Sequence, residues 1–104
     1  MAAKIKIRAK EKGGVTAVKF LMKHPMETGL RKDRKTGEKI PAHYISDVTV
    51  SLNGSNVMTA YLGPGVSKDP YLSTEVKGAS KGDTITVAWV DNTGEQASTD
   101  APVK

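Results

Sequence analysis

Hydrophobic and polar positions alternate along most of this chain, and the alternation is interrupted by short turns and one long polar insertion. In residues 4–10, Ile5, Ile7 and Ala9 take one side while Lys4, Lys6, Arg8 and Lys10 take the other. Such period-two order marks a half-buried strand, because successive side chains on an extended backbone point to opposite faces. Residues 15–24 repeat it with Val18, Phe20 and Met22 at one parity, which His24 shares. That strand is expected to stop at Pro25, whose nitrogen carries no hydrogen for a ladder. Residues 43–52 place Tyr44, Val48, Val50 and Leu52 in phase and Ile45 out of phase, as a bulge would do. Strands are also expected over 57–62, 71–77, 83–91 and 95–99, with Ile85, Val87 and Trp89 inward and a polar tail after Thr99.

Turn residues fall between these runs. Glu11-Lys12-Gly13-Gly14 reads as a turn, Asn53-Gly54 as a type I′ hairpin, and Gly63-Pro64-Gly65, Asp69-Pro70 and Asn92-Thr93-Gly94 as further breaks. No segment shows helical spacing. About seven short strands in one hundred and four residues predict an all-β fold, an immunoglobulin-like antiparallel β-sandwich, as one domain spanning 1–104.

The long interruption lies within residues 22–45 and holds both histidines, two of the four methionines and the densest charge. The connection at 25–42, about eighteen residues, far exceeds the usual ~2–6, and loops of such length are functional or cover an open edge. Its Arg31, Lys32, Arg34, Lys35 and Lys39 outnumber Glu27, Asp33 and Glu38, so it reads as a solvated excursion.

Composition narrows the chemistry. Sixteen Lys and Arg against eleven Asp and Glu give +5, a charge that attracts anions or acidic partners without choosing among them. The absence of cysteine excludes thiol nucleophiles, disulfides and thiolate metal sites on this chain. No Gly-x-Ser-x-Gly, phosphate loop or nucleophile beside a base is present, so no enzyme activity and no cofactor are expected. Met22, His24 and Met26 at i, i+2 and i+4 would share one strand face, as a soft copper site requires. Against copper, Pro25 breaks that strand and Met22 has the core parity of Phe20. A core methionine beside a turn histidine explains the set more simply. Few aromatics remain outside core parity for base stacking, which disfavours nucleic acid. The N-terminus lacks the apolar run of a signal peptide, and no stretch approaches the ~20 apolar residues of a membrane span. The chain is therefore expected to be soluble, off the membrane, and without an export signal of its own.

Several runs carry a resemblance. Val18-Lys19-Phe20-Leu21-Met22-Lys23-His24-Pro25-Met26-Glu27-Thr28-Gly29, Arg31-Lys32-Asp33, Ile40-Pro41-Ala42-His43, Val66-Ser67-Lys68-Asp69-Pro70-Tyr71-Leu72, and Lys81-Gly82-Asp83 on to Trp89-Val90-Asp91-Asn92 resemble the SoxZ family, in the same order and over nearly the whole chain. The resemblance implies a non-catalytic β-sandwich that forms a heterodimer with a SoxY-type subunit. That subunit holds thiosulfate-derived sulfur on a Gly-Gly-Cys-Gly-Gly arm while other Sox enzymes process it. It also implies a periplasmic location, reached by export in complex with the signal-bearing SoxY. A chain without cysteine cannot carry the sulfur, which fits this division of labour. In isolation a homo-oligomer is open to the chain, since an exposed partner surface finds a substitute.

Three groups of residues are candidates for partner contact: Lys6, Arg8 and Lys10 on the first strand; Met22, His24, Pro25 and Met26 at the corner; Arg31 and Lys32 in the loop. The readings kept beside the carrier are a copper-binding periplasmic sandwich and a generic basic binding module.

Overall fold

Strict alternation from Ile5 onward forms β1 (Ile5–Lys12), and the chain then reverses through Gly13 and Gly14 into β2 (Val15–Met22). Both glycines hold positive φ, 63° and 85°, the type I′ geometry whose twist matches the strands it joins. The computed structural model describes residues 5–104, so Lys4 of the expected basic row lies outside the described residues. After a long loop come β3 (Ile45–Leu52), β4 (Ser55–Tyr61), β5 (Tyr71–Lys77), β6 (Thr84–Asp91) and β7 (Gln96–Pro102). The described residues contain seven strands and no helix, as expected. Asn53 (φ 50°) and Gly54 (φ 87°) make the second I′-type hairpin.

The strands form two antiparallel sheets, ordered β1-β2-β5 and β4-β3-β6-β7. Alternate residues point inward, and Phe20, Met22, Val48, Val50, Ile85, Val87 and Trp89 meet in the core, each at most 1% exposed. Burying a side chain of this size contributes roughly 1.5–3 kcal/mol, so the inner parity is strongly held. A register shift between Ile45 and Asp47 brings Ile45 into the same core, the bulge that its phase called for.

Most strand boundaries shift by a residue or two from expectation, and three shifts matter. The first strand runs through Lys12, leaving only the two glycines as the turn. The second ends at Met22, so His24 lies beyond it. Residues after Thr99 are no loose tail: β7 continues to Pro102, Val103 is buried, and Lys104 donates its N–H to the Ala9 carbonyl (3.0 Å) and accepts from the Glu11 N–H (2.7 Å). Small inward residues, Ala97, Thr99 and Ala101, keep the period there, but their weak hydrophobicity hides it.

This last exchange joins the two sheets along the β1/β7 side, where those strands pack together. The free edges, β5 of one sheet and β4 of the other, therefore share the opposite side.

Candidate functional site

Beyond Met22 the chain leaves the sheet, and its next residues are fixed by polar contacts to distant segments. The His24 N–H donates to Asp69 Oδ1 (3.0 Å), and the Asp69 N–H donates to the His24 carbonyl (3.0 Å). Met26 (φ 50°) and Asp69 (φ 52°) lie on the two segments so joined, both in left-handed backbone. For a long side chain such as methionine this conformation costs roughly 1–2 kcal/mol, whereas aspartate tolerates it better. Between the segments opens a groove of about 540 Å3 lined by Pro25, Glu27, Thr28, Arg31, Pro64 and Lys68, among others.

The histidine side chain turns inward. His24 is 4% exposed and stands edge-on to Trp89, ring centroids 5.0 Å apart. Its two nitrogens have settled roles. The Met26 N–H donates to Nδ1 (3.1 Å), which makes Nδ1 the acceptor and leaves the proton on Nε2, facing Asp91 Oδ2 at 3.0 Å. His43 Nε2 meets the same oxygen at 2.7 Å, with its ring centroid 4.6 Å from that of His24. The other oxygen, Asp91 Oδ1, accepts from the Thr93 N–H (2.9 Å), the Thr93 hydroxyl (2.7 Å) and the Glu95 N–H (2.9 Å).

Burial acting alone would raise the Asp91 carboxyl. The donors from His24, Thr93, His43 and the Glu95 amide outweigh it and hold the group well below the ordinary carboxylate range. The carboxylate is thus buried, ionised and saturated with donors, which is the arrangement of a structural tie. It binds the long loop at both ends to the turn between β6 and β7. Asn92 reinforces it: its Oδ1 accepts from the Tyr44 N–H (2.8 Å), and its Nδ2 donates to the Ala42 carbonyl (2.9 Å).

The loop is closed at its base as well. Glu27 and His43 exchange backbone hydrogen bonds of 2.6 and 3.0 Å, and Gly29, at φ 86°, brings the chain so close that a Cβ there would meet the Ala42 Cβ at 3.1 Å. Beyond this pinch the excursion is exposed, as expected, yet ordered. Lys32 bridges to Lys39, and Asp33 accepts from the Lys35 and Thr36 amides. Arg31 pairs with Glu27 through two hydrogen bonds of 3.1 and 2.6 Å, which lower the Glu27 carboxyl below its ordinary value.

The copper arrangement is not assembled. Met22 is fully in the core, the Met26 sulfur accepts from the Ile45 N–H (3.3 Å), and both nitrogens of His24 are engaged. The side-chain ligand atoms of His24, His43 and Asp91 do lie within 4.8 Å of one another. A metal on His24 Nε2 would strip its last proton while Nδ1 still accepted, a state neutral imidazole cannot supply.

Residues apart in sequence thus meet here, and one was missed. Asp91 lies sixty-seven positions from His24 and forty-eight from His43, which no local pattern can span. The one readable signal was its parity, since an acid in phase with Ile85, Val87 and Trp89 must point inward. Of the other candidates, Pro25 lines the corner groove, and Arg31 and Lys32 are exposed on the excursion. Lys6, Arg8 and Lys10 are exposed on the outer face of the three-stranded sheet, remote in sequence from the corner.

The family model described as Sulphur oxidation protein SoxZ matches residues 5–102, nearly the full described chain. The chain belongs to the SoxZ family. Membership connects it with sulfur oxidation, and the match takes in both the His24 to Gly29 corner and the Asp91 turn that pins it. No curated protein matches the chain.

Proposed function

We propose that this SoxZ-family chain is the non-catalytic half of a two-chain sulfur carrier, binding a SoxY-type subunit and presenting it to the enzymes that process its cysteine-bound sulfur. Two features support the reading directly. The chain has no cysteine, so the sulfur must be carried elsewhere. Both histidines and Asp91 are tied into the fold, which fits a chain that contributes surface and no bond-making group.

The observation that carries the reading is the open side of the sandwich. Edge strands normally bear charges or proline that discourage pairing. β4 reads Ser55-Asn56-Val57-Met58-Thr59-Ala60-Tyr61 and has no charge and no proline. Three of the five exposed large apolar residues among the described residues, Val57, Tyr61 and Tyr71, lie on β4 and β5, the two free edges of that side. An uncharged edge flanked by tyrosines suits a lasting subunit contact, since permanent interfaces are more apolar than transient ones. On this reading the pair assembles before export and acts in the periplasm.

Co-expression with a SoxY-type chain followed by size exclusion tests it. A one-to-one complex is expected, and Thr59→Lys with Tyr61→Glu should abolish it while leaving the thermal melt of the isolated chain intact. A chain that stays apart from its SoxY-type partner would sink the proposal.

A further inference from the structure

The net charge of the molecule is gathered on one surface. In the three-stranded sheet the charged outward residues are Lys6, Arg8, Lys10 and Lys12 on β1, Lys19 on β2, and Glu75 and Lys77 on β5. These are six cations and one acid, a net of +5, equal to the +5 of the whole chain of sixteen cations and eleven acids. The remaining ten cations and ten acids balance, so this face alone gives the molecule its sign.

Register makes the concentration more pronounced. Arg8 stands directly opposite Lys19 across β1 and β2, a like-charge pairing that weakens a sheet unless something else neutralises it. Among the described residues neither forms an ion pair. Next to them a groove of about 250 Å3 opens between Lys6, Arg8, Lys19, Leu21 and Tyr71. Between the cation column of β1 and the mixed column of β5 runs the outer row of β2, where Val15, Ala17 and Leu21 are half-buried.

We infer that the outer face of the β1-β2-β5 sheet docks the acidic surface of a visiting protein. The combination of an apolar central row with a charged border is the anatomy of a protein interface. Nucleic acid would use a cationic track interleaved with stacking aromatics, and this face offers the single aromatic Tyr71. A permanent subunit would leave a row of cations buried and unpaired, at heavy cost, unless it matched each one. A transient partner gains most, because such charge accelerates encounter and sets orientation without requiring a large dry interface. The inference rests on the carrier reading for the visitor's identity, an enzyme that acts on the carried sulfur.

The test uses the complex of this chain with a SoxY-type subunit and measures association rates with each sulfur-oxidation enzyme at low and high salt. A face variant combines Lys6→Glu, Arg8→Glu and Lys19→Glu. A loop variant with the same change in net charge combines Arg34→Glu, Lys35→Glu and Lys39→Glu. Association with at least one enzyme is expected to slow about ten-fold or more in the face variant, with a flattened salt dependence, and much less in the loop variant. Neutral Arg8→Gln with Lys19→Gln should fall between, which keeps the test readable if the triple reversal folds poorly. Equal slowing in both triple variants, or none in the face variant, would overturn the assignment. So would face-dependent binding of a labelled single-stranded oligonucleotide or of phosphatidylserine vesicles with enzyme association unchanged. If no complex with the SoxY-type chain forms, the carrier reading fails at that step, and the same rates measured on the chain alone still decide the face.

Discussion

The Asp91 carboxylate is 3% exposed and receives five hydrogen bonds, whereas Arg8 and Lys19 face each other across a strand pair in solvent with no ion-pair partner among the described residues. Both arrangements lie at odds with cheap electrostatics, one by burying a charge and the other by opposing like charges. They differ in what compensates. Around Asp91 every donor belongs to the chain itself, so the arrangement is complete and serves the fold. On the sheet face one acid, Glu75, stands against six cations, so the arrangement is incomplete and points outward. The contrast separates structural from functional charge without reference to conservation.

The contrast breaks most easily at the carboxylate. Asp91→Ala leaves His24 Nε2–H and the Thr93 and Glu95 amides without their acceptor, and should cost about 3–5 kcal/mol in denaturant unfolding. A loss below about 1 kcal/mol would show that the tie is ornamental. His24→Ala removes one donor, orphans the Met26 N–H and empties space beside Trp89, for about 2–4 kcal/mol. His43→Ala should cost about 1 kcal/mol, because its side chain is 32% exposed and water can replace it.

Acid sharpens the same distinction. Asp91 is lowered in the folded state, so its contribution is complete above the unfolded aspartate value of ~3.9 and is lost as pH falls from there toward the folded value. Unfolding measured from about pH 6 down to 2 should therefore show declining stability. Asp91→Asn should start less stable and lose less with acid. An unchanged acid slope in that variant would shift the dependence to other carboxylates.

The smallest effect belongs to the face. Lys19→Glu turns the like-charged cross-strand pair into an opposite one, and should raise stability by about 0.2–1 kcal/mol at low salt, fading as salt screens it. Loss of stability in this variant would mean that Lys19 has an unseen structural role.

The elements of the fold were legible because strand periodicity is local. Val18, Phe20 and Met22 name their inner face without knowing which strand lies across, and Gly13-Gly14 and Asn53-Gly54 name their own turn geometry. The basic row of β1 was legible for the same reason. That Lys19 and Lys77 extend it, and that Arg8 faces Lys19, depends on strand order and register. The long loop was legible as an interruption that holds both histidines and as a family signature, with nothing to bring the two together. Their meeting at Asp91 depends on three segments converging.

By itself, then, the sequence determined the strands, the sandwich class, the chain's inability to carry sulfur on a thiol, and its kinship with SoxZ. Those properties live in neighbouring residues or in composition. Tertiary structure alone decided that the histidine corner is a closed tie and that the whole net charge lies on one face. The seam that leaves β4 and β5 as free edges was likewise its doing. The physical reason is that hydrogen bonds and charge patches act over a few ångströms in space, and only the folded chain brings residues 24, 43 and 91, or 8 and 19, within that range.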